Sequence, residues 1–183
     1  MSPRTRILCL GNELLADDAF GSVAAEDLRS RAPQLDVVFT TDAGFHLIDY
    51  LSDIELLVVV DSIQTGKVAP GTVLVFRNTD IVAPSGPSPH YVGLFETLQL
   101  GRKLLLPVPG EVIILAVEAV DCLTLGGEMH SEVKSAVGIV TELVSEIMPC
   151  SKLATSEGDV TLCLQRAITS VSARYGPDRL VVM

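Results

Sequence analysis

Three short stretches of this chain carry residue types that could do chemistry. They are the acidic loop Gly11-Asn12-Glu13-Leu14-Leu15-Ala16-Asp17-Asp18, Asp61 at the end of Leu56-Leu57-Val58-Val59-Val60, and Ser88-Pro89-His90. Residues 55–61 read as a strand buried on both faces by helices, because the apolar run before Asp61 is unbroken. Asp61 is then expected where that strand emerges at its carboxyl end, the edge at which open α/β sheets bind ligands. Asp17-Asp18 falls in the connection after a first strand, and His90 opens a later helix, both at that edge. Two carboxylates and one imidazole make a hard-to-borderline donor set with open positions. It suits Zn, Ni, Mn or Fe better than Cu(I) or a structural cysteine site.

Each residue also has a plainer role available. Asp17 or Asp18 could cap the next helix, whose dipole favours negative charge at its start. A strand-end Asp61 could cap a loop, and His90 could be an exposed helix-start residue. His46 and His130 read as surface-helix residues. Two acids crowding a buried Asp61 would raise one another's pKa, a conflict that a bound cation resolves. The chain has no HExxH, Walker A, G-x-G-x-x-G or G-x-S-x-G motif, which removes the most specific alternatives.

The elements that must position these residues alternate between strand and helix. Strands are expected over 6–10, 36–41, 55–61, 72–77 and 111–117, and helices over 21–31, 45–51, 90–100 and 129–148. The last helix has the clearest stripe: Val133, Ala136, Val137, Val140, Leu143, Val144 and Ile147 recur at helical spacing. Residues 80–89, rich in Pro and Ser, read as a loop. The alternation predicts an α/β three-layer sandwich, a mostly parallel twisted sheet of about five strands with helices on both faces. The short Ala69-Pro70-Gly71 link between two strands predicts one antiparallel strand, since parallel neighbours need a long crossover. The domain is expected to span 1–148. Residues 149–183 are expected as a linker and a helix over 160–174, an appendage of unassigned role.

Composition bounds the partners. Of the 183 residues, 48% are hydrophobic, which fits a folded domain rather than a disordered chain. Net charge is −10 with 13 Lys+Arg, so no nucleic-acid partner is expected, because that needs a basic face. Trp is absent and aromatics are 4%, which disfavours an aromatic-lined groove for sugars or single strands. No run is long enough for a membrane span, and the N-terminus lacks a signal-peptide core. Cys9, Cys122, Cys150 and Cys163 are widely spaced without a CxxC, which predicts reduced thiols and a cytoplasmic protein.

Three ordered blocks resemble the hydrogenase maturation endopeptidases. Leu10-Gly11-Asn12 with Ala16-Asp17-Asp18-Ala19-Phe20-Gly21 is similar to that family's N-terminal signature. Val58-Val59-Val60-Asp61-Ser62 followed by Ala69-Pro70-Gly71-Thr72 is similar to the second block, and Ser88-Pro89-His90 followed by Gly93-Leu94 to the third. The resemblance covers about residues 6–148. It implies an aspartic-type endopeptidase, acting as a monomer, that removes the C-terminal extension of a nickel-loaded [NiFe]-hydrogenase large-subunit precursor. It places the nickel contacts on Asp18, Asp61 and His90, with Asp18 standing where the family commonly has Glu. The nickel arrives with the precursor and is not expected to be held by the free enzyme; zinc or cadmium could substitute. Thr41-Asp42-Ala43-Gly44 resembles the family's Asp-Gly-Gly-Thr stretch, with Ala43 and Phe45 departing from it, and makes Asp42 a candidate for cleavage. Two rivals remain: a non-catalytic metal- or partner-binding module on the same fold, and a flavodoxin-like nucleotide binder, which lacks a phosphate loop here.

Overall fold

The computed structural model describes residues 4–77, 89–151 and 157–183, except for the side chains of 89–93, 150, 151 and 157. Six strands form one sheet: β1 (Thr5–Leu10), β2 (Val37–Thr40), β3 (Leu56–Ile63), β4 (Val73–Arg77), β5 (Glu111–Glu118) and β6 (Leu180–Val182). Their spatial order is β2-β1-β3-β5-β4-β6. Pairings are parallel except β4 with β5. Among the described residues the α-helices are α1 (Phe20–Arg31), α2 (Ile48–Leu51), α3 (Pro89–Lys103), α4 (Ser131–Ser151) and α5 (Glu157–Tyr175).

The sheet is buried on both faces because its strands are apolar at odd and even positions alike. Ile7, Cys9, Val58, Val60, Leu115 and Val117 pack with α1, α4 and α5 in one core. Leu8, Leu10, Leu57, Val59, Ile114 and Ala116 pack with Leu47, Leu51, Leu94 and Leu98 in a second core on the opposite face. This is the expected three-layer sandwich of about five strands, six among the described residues.

The antiparallel strand is present, with a different neighbour from the one its short link implied. β4 lies beside β5, not beside β3. The 64–72 connection therefore steps across the end of β5, and Gly71 N–H donates to the Glu118 carbonyl at 2.8 Å.

β3 also runs two residues past the expected end at Asp61. Ser62 and Ile63 keep pairing with Val117 and Glu118, and all four are buried. Asp61 thus sits inside the last turn of the pleat, not at an emerging tip.

The segment beyond Pro149 is part of the same core. Val160, Leu164, Ala167 and Val171 of α5 are buried against the α1/α4 face, and Leu180 opens a strand that pairs with β4. Its linker, residues 152–156, lies outside the described residues. Cys163 on α5 is disulfide-bonded, which corrects the expectation of four reduced thiols; Cys9 and Cys122 are free. Sequence spacing is silent about pairing, which depends on how packed helices bring cysteines together.

Candidate functional site

The strand order has one topological switch. The chain leaves β1 toward β2 on one side, and β3 lies on the other side of β1. Connections that diverge from two adjacent parallel strands leave a crevice at their carboxyl ends. Asp18 follows β1 in a 3-10 turn at Asp17–Ala19, and Asp61 belongs to the end of β3. Both acids therefore come to the same crevice from neighbouring strands.

The loop that carries Asp18 is folded tightly back on β1. Gly11 has φ +147°, and a Cβ there would meet the Asp18 carbonyl oxygen at 2.1 Å. A Cβ at Gly21 would meet the Leu10 carbonyl oxygen at 1.9 Å, so α1 crosses the strand end at backbone contact. Asn12 N–H donates to the Asp18 carbonyl at 3.1 Å, closing the loop. Asp18 is 6% exposed and Asp61 0%.

Ser62 joins the two acids. Its backbone N–H donates to Asp61 Oδ1 at 2.7 Å, and its hydroxyl donates to Asp18 Oδ1 at 3.1 Å. Cys122 Sγ lies 3.5 Å from the same hydroxyl. Burial pushes the Cys122 thiol up to about 12, and the negative charges of Asp18, Asp17 and Asp61 add to that. The thiol is thus protonated at neutral pH, and the crevice carries a concentrated negative field.

Asp17 has a different task from its neighbour. Its carboxylate accepts the N–H groups of Val120 and Asp121 at 2.8 and 2.9 Å, and that of His130 at 2.7 Å. His130 Nδ1 is 3.0 Å from Asp17 Oδ2. Neither the 3-10 turn nor α1 has a side-chain cap, so the capping role expected for one acid is not what the structure shows. Asp17 instead ties the first loop to the loop between β5 and α4. A two-residue bridge, Leu15 with Leu125, and the Ala16 N–H to Thr124 carbonyl bond brace the same pair of loops. Leu14, Leu123 and Leu125 stand exposed along them. His130 precedes α4 rather than lying on it, and His46 is exposed in the 3-10 turn Gly44–Leu47, matching its surface reading.

Glu118, buried at the end of β5, accepts the N–H groups of Thr65 and Gly66 at 2.8 and 2.7 Å and the Thr65 hydroxyl at 2.6 Å. It fixes the loop that follows β3. Sequence reasoning missed Asp17, Ser62 and Glu118 as organisers, because their partners are backbone groups or residues from distant segments.

Asp42 follows β2 at the same edge of the sheet. Its carboxylate accepts the Tyr50 hydroxyl at 2.6 Å and the Thr40 hydroxyl at 3.0 Å. These two donors hold its pKa below the usual carboxylate value. The turn after it is tied to α3 by the Thr97 hydroxyl, which donates to the Gly44 carbonyl at 3.1 Å.

His90 lies in the first turn of α3, on the layer that covers the Asp61 face of the sheet. Its side chain lies outside the described residues, and so does its expected convergence with Asp18 and Asp61. Among the described residues, no group of three His, Cys, Asp or Glu side chains gathers to hold a metal ion. The described part of the expected set is therefore the two carboxylates. Also among the described residues, no helix is long and apolar enough to cross a membrane.

Comparison with known proteins adds to this geometry. The sequence profile of a family described as hydrogenase maturation protease matches residues 25–147. The hydrogenase expression/formation protein HupD of Bradyrhizobium diazoefficiens is 26% identical over 151 residues, 79% of this chain and 78% of that protein. The hydrogenase 2 maturation protease of Escherichia coli is 34% identical over 104 residues, 54% of this chain and 63% of that one. The solved [NiFe] hydrogenase maturation protease HybD of Thermococcus kodakarensis superposes with a TM-score of 0.66 at 28% identity, covering 79% of this chain and 98% of the other.

Proposed function

Because the chain belongs to the hydrogenase maturation protease family, we propose that it removes a C-terminal extension from a nickel-loaded [NiFe]-hydrogenase large-subunit precursor, and that it recognises the nickel through Asp18, Asp61 and His90. The supporting observation is the pair of buried acids delivered to one switch-point crevice by β1 and β3 and joined through Ser62. Two carboxylates this close to one residue repel each other when ionised, and a divalent cation relieves that repulsion. A carboxylate pair also suits a borderline cation with open positions, as nickel held by a precursor would be. His90, from the helix layer above, would complete the set.

The nickel belongs to the substrate in this reading, so it serves as a check that insertion has occurred before cleavage. When present it could also polarise the scissile carbonyl, with water as the simplest nucleophile. Asp42 enters as a residue for cleavage by family resemblance. Its carboxylate is held ionised by Tyr50 and Thr40, with a lowered pKa, so it is a weak proton acceptor at neutral pH. We assign it a role in orienting the peptide or the water rather than in taking the proton.

The deciding experiment mixes the purified protein with a nickel-loaded precursor and follows loss of the C-terminal peptide by mass spectrometry. Cleavage by the wild type, with Asp18→Ala, Asp61→Ala and His90→Ala inactive but folded, is the expected result. Normal cleavage by Asp61→Ala would end the assignment of this crevice. A wild-type protein that binds the precursor without cleaving it would favour a non-catalytic binding module.

A further inference from the structure

Ser62 is the point at which the two acids of the crevice meet, and its two donors are used differently. The backbone N–H holds Asp61 Oδ1 at 2.7 Å, and the side-chain hydroxyl holds Asp18 Oδ1 at 3.1 Å. A serine hydroxyl has a single proton. Since that proton goes to Asp18, the oxygen can only accept from Cys122, whose Sγ is 3.5 Å away. The chain of bonds therefore runs in one direction, from thiol to hydroxyl to carboxylate. Ser62 is 2% exposed, so water is not at hand to replace either bond.

The backbone around Ser62 is fixed as well. It lies within β3, paired with Val117 of β5, and the next residue's carbonyl accepts Ala119 N–H at 2.7 Å. The hydroxyl thus projects from a rigid strand toward an acid on a loop. Asp18 reaches the crevice from that loop, which Gly11 and Asn12 hold on one side and Asp17 on the other. The Ser62 hydroxyl is the side-chain contact that sets the loop acid against the strand acid.

From this we infer that Ser62 is a positioning residue for nickel recognition: one residue, by its N–H and its hydroxyl, sets the spacing and orientation of the Asp18 and Asp61 carboxylates. This rests on the reading of Asp18 and Asp61 as the acids that meet the nickel. In this reading Ser62 acts through the two carboxylates, by its bonds to Asp61 and Asp18. Its effect is expected in the binding of the nickel-loaded precursor rather than in the bond-breaking step.

The test compares wild type, Ser62→Ala, Ser62→Thr and Asp61→Ala in full-length protein, with a nickel-loaded precursor and thermal melts alongside. Ser62→Ala keeps the N–H to Asp61 and removes the hydroxyl, with its bond to Asp18 and its weaker contact with Cys122. It should raise KM about tenfold, the loss expected for one hydrogen bond to a charged group, with kcat within about threefold. Ser62→Thr retains the hydroxyl and should recover a KM near wild type even if its added methyl lowers the melting temperature. A wild-type KM for Ser62→Ala beside an inactive Asp61→Ala overturns the positioning role alone. So does an equal rise in KM for the Ala and Thr variants, which would mark a packing site. Normal cleavage by Asp61→Ala removes the reading of the crevice, and the role of Ser62 with it.

Discussion

At the scale of single residues, the environments of Asp42 and Cys122 separate charge that is available from charge that is held. Asp42 accepts two hydroxyls and titrates below the usual carboxylate value, with Tyr50 the larger cause. A depressed folded-state pKa stabilises the protein above the unfolded pKa of ~3.9, and that contribution is lost as pH falls through the folded value. Between pH 5 and 8 it is constant, so Asp42 should give no inflection in a neutral pH–rate profile. Tyr50→Phe should move the Asp42 titration upward, measurable from its carboxyl carbon resonance; an unmoved titration would show that the phenol does not hold the acid. Cys122 is displaced the other way, pushed up to about 12 by burial and neighbouring acids. Its alkylation by iodoacetamide should stay slow until pH exceeds about 10, whereas an ordinary exposed thiol reacts from about pH 8.5. That Asp61 belongs to a buried central strand was legible in the uninterrupted apolar run before it, although the strand runs on through Ile63. The work of Asp17 was not, since the backbone groups it holds lie 103 to 113 residues away in the chain.

At the scale of elements, periodicity located the strands and helices, and long-range pairing decided their ends and neighbours. The stripe from Val133 to Ile147 placed α4, and those residues are buried apart from the partly exposed Val137. The extension of β3 through Ile63 was hidden because Ser62 looks like a strand terminator alone, yet pairs with Val117 beside it. The neighbour of β4 was misread for a related reason: a short link fixes direction but not which strand lies alongside. The two loops that wall the crevice depend most on one side chain. Asp17→Ala would leave the partly buried N–H groups of Val120, Asp121 and His130 without their carboxylate acceptor. The expected cost is about 1–3 kcal/mol, from the lost bonds to a charged acceptor. The local signature should be faster amide exchange at residues 120–130, with the β1–β3–β5 amides still protected. A global loss of protection with no preferential effect at 120–130 would show that Asp17 supports the whole core rather than the loop pair.

At the scale of the whole molecule, the last thirty residues close the sheet and one of its two cores. β4 would be an edge strand without β6, and the α4 face would be bare without α5. Three polar ties reach the same region. Arg77 of β4 binds Glu111 of β5 at 2.8 Å and the Thr161 hydroxyl of α5 at 2.5 Å. Arg179 donates to the Ser135 hydroxyl of α4 at 2.8 Å and to the Gly71 carbonyl. Arg174 pairs with Glu142 and Glu146 of α4. The helix over 160–174 was legible in the sequence; its packing on α4 and the strand after it were not, because the apolar stripe is modest and a three-residue strand carries almost no pattern of its own. A helix of this kind gains its stability from packing rather than propensity. Ending the chain at residue 151 should therefore expose Val140, Val144 and their neighbours, and yield a protein that binds a hydrophobic dye and melts without a sharp transition. Val171→Ala, which removes two methyl groups from a fully buried site, should cost about 1–3 kcal/mol by cavity formation while leaving cleavage per folded molecule unchanged. The crevice lies at the β1–β3 switch, away from β6 at the far edge of the sheet, so stability and chemistry should separate in this variant. A truncated chain with the melting temperature of the full-length protein would show that α5 and β6 rest on a core complete without them.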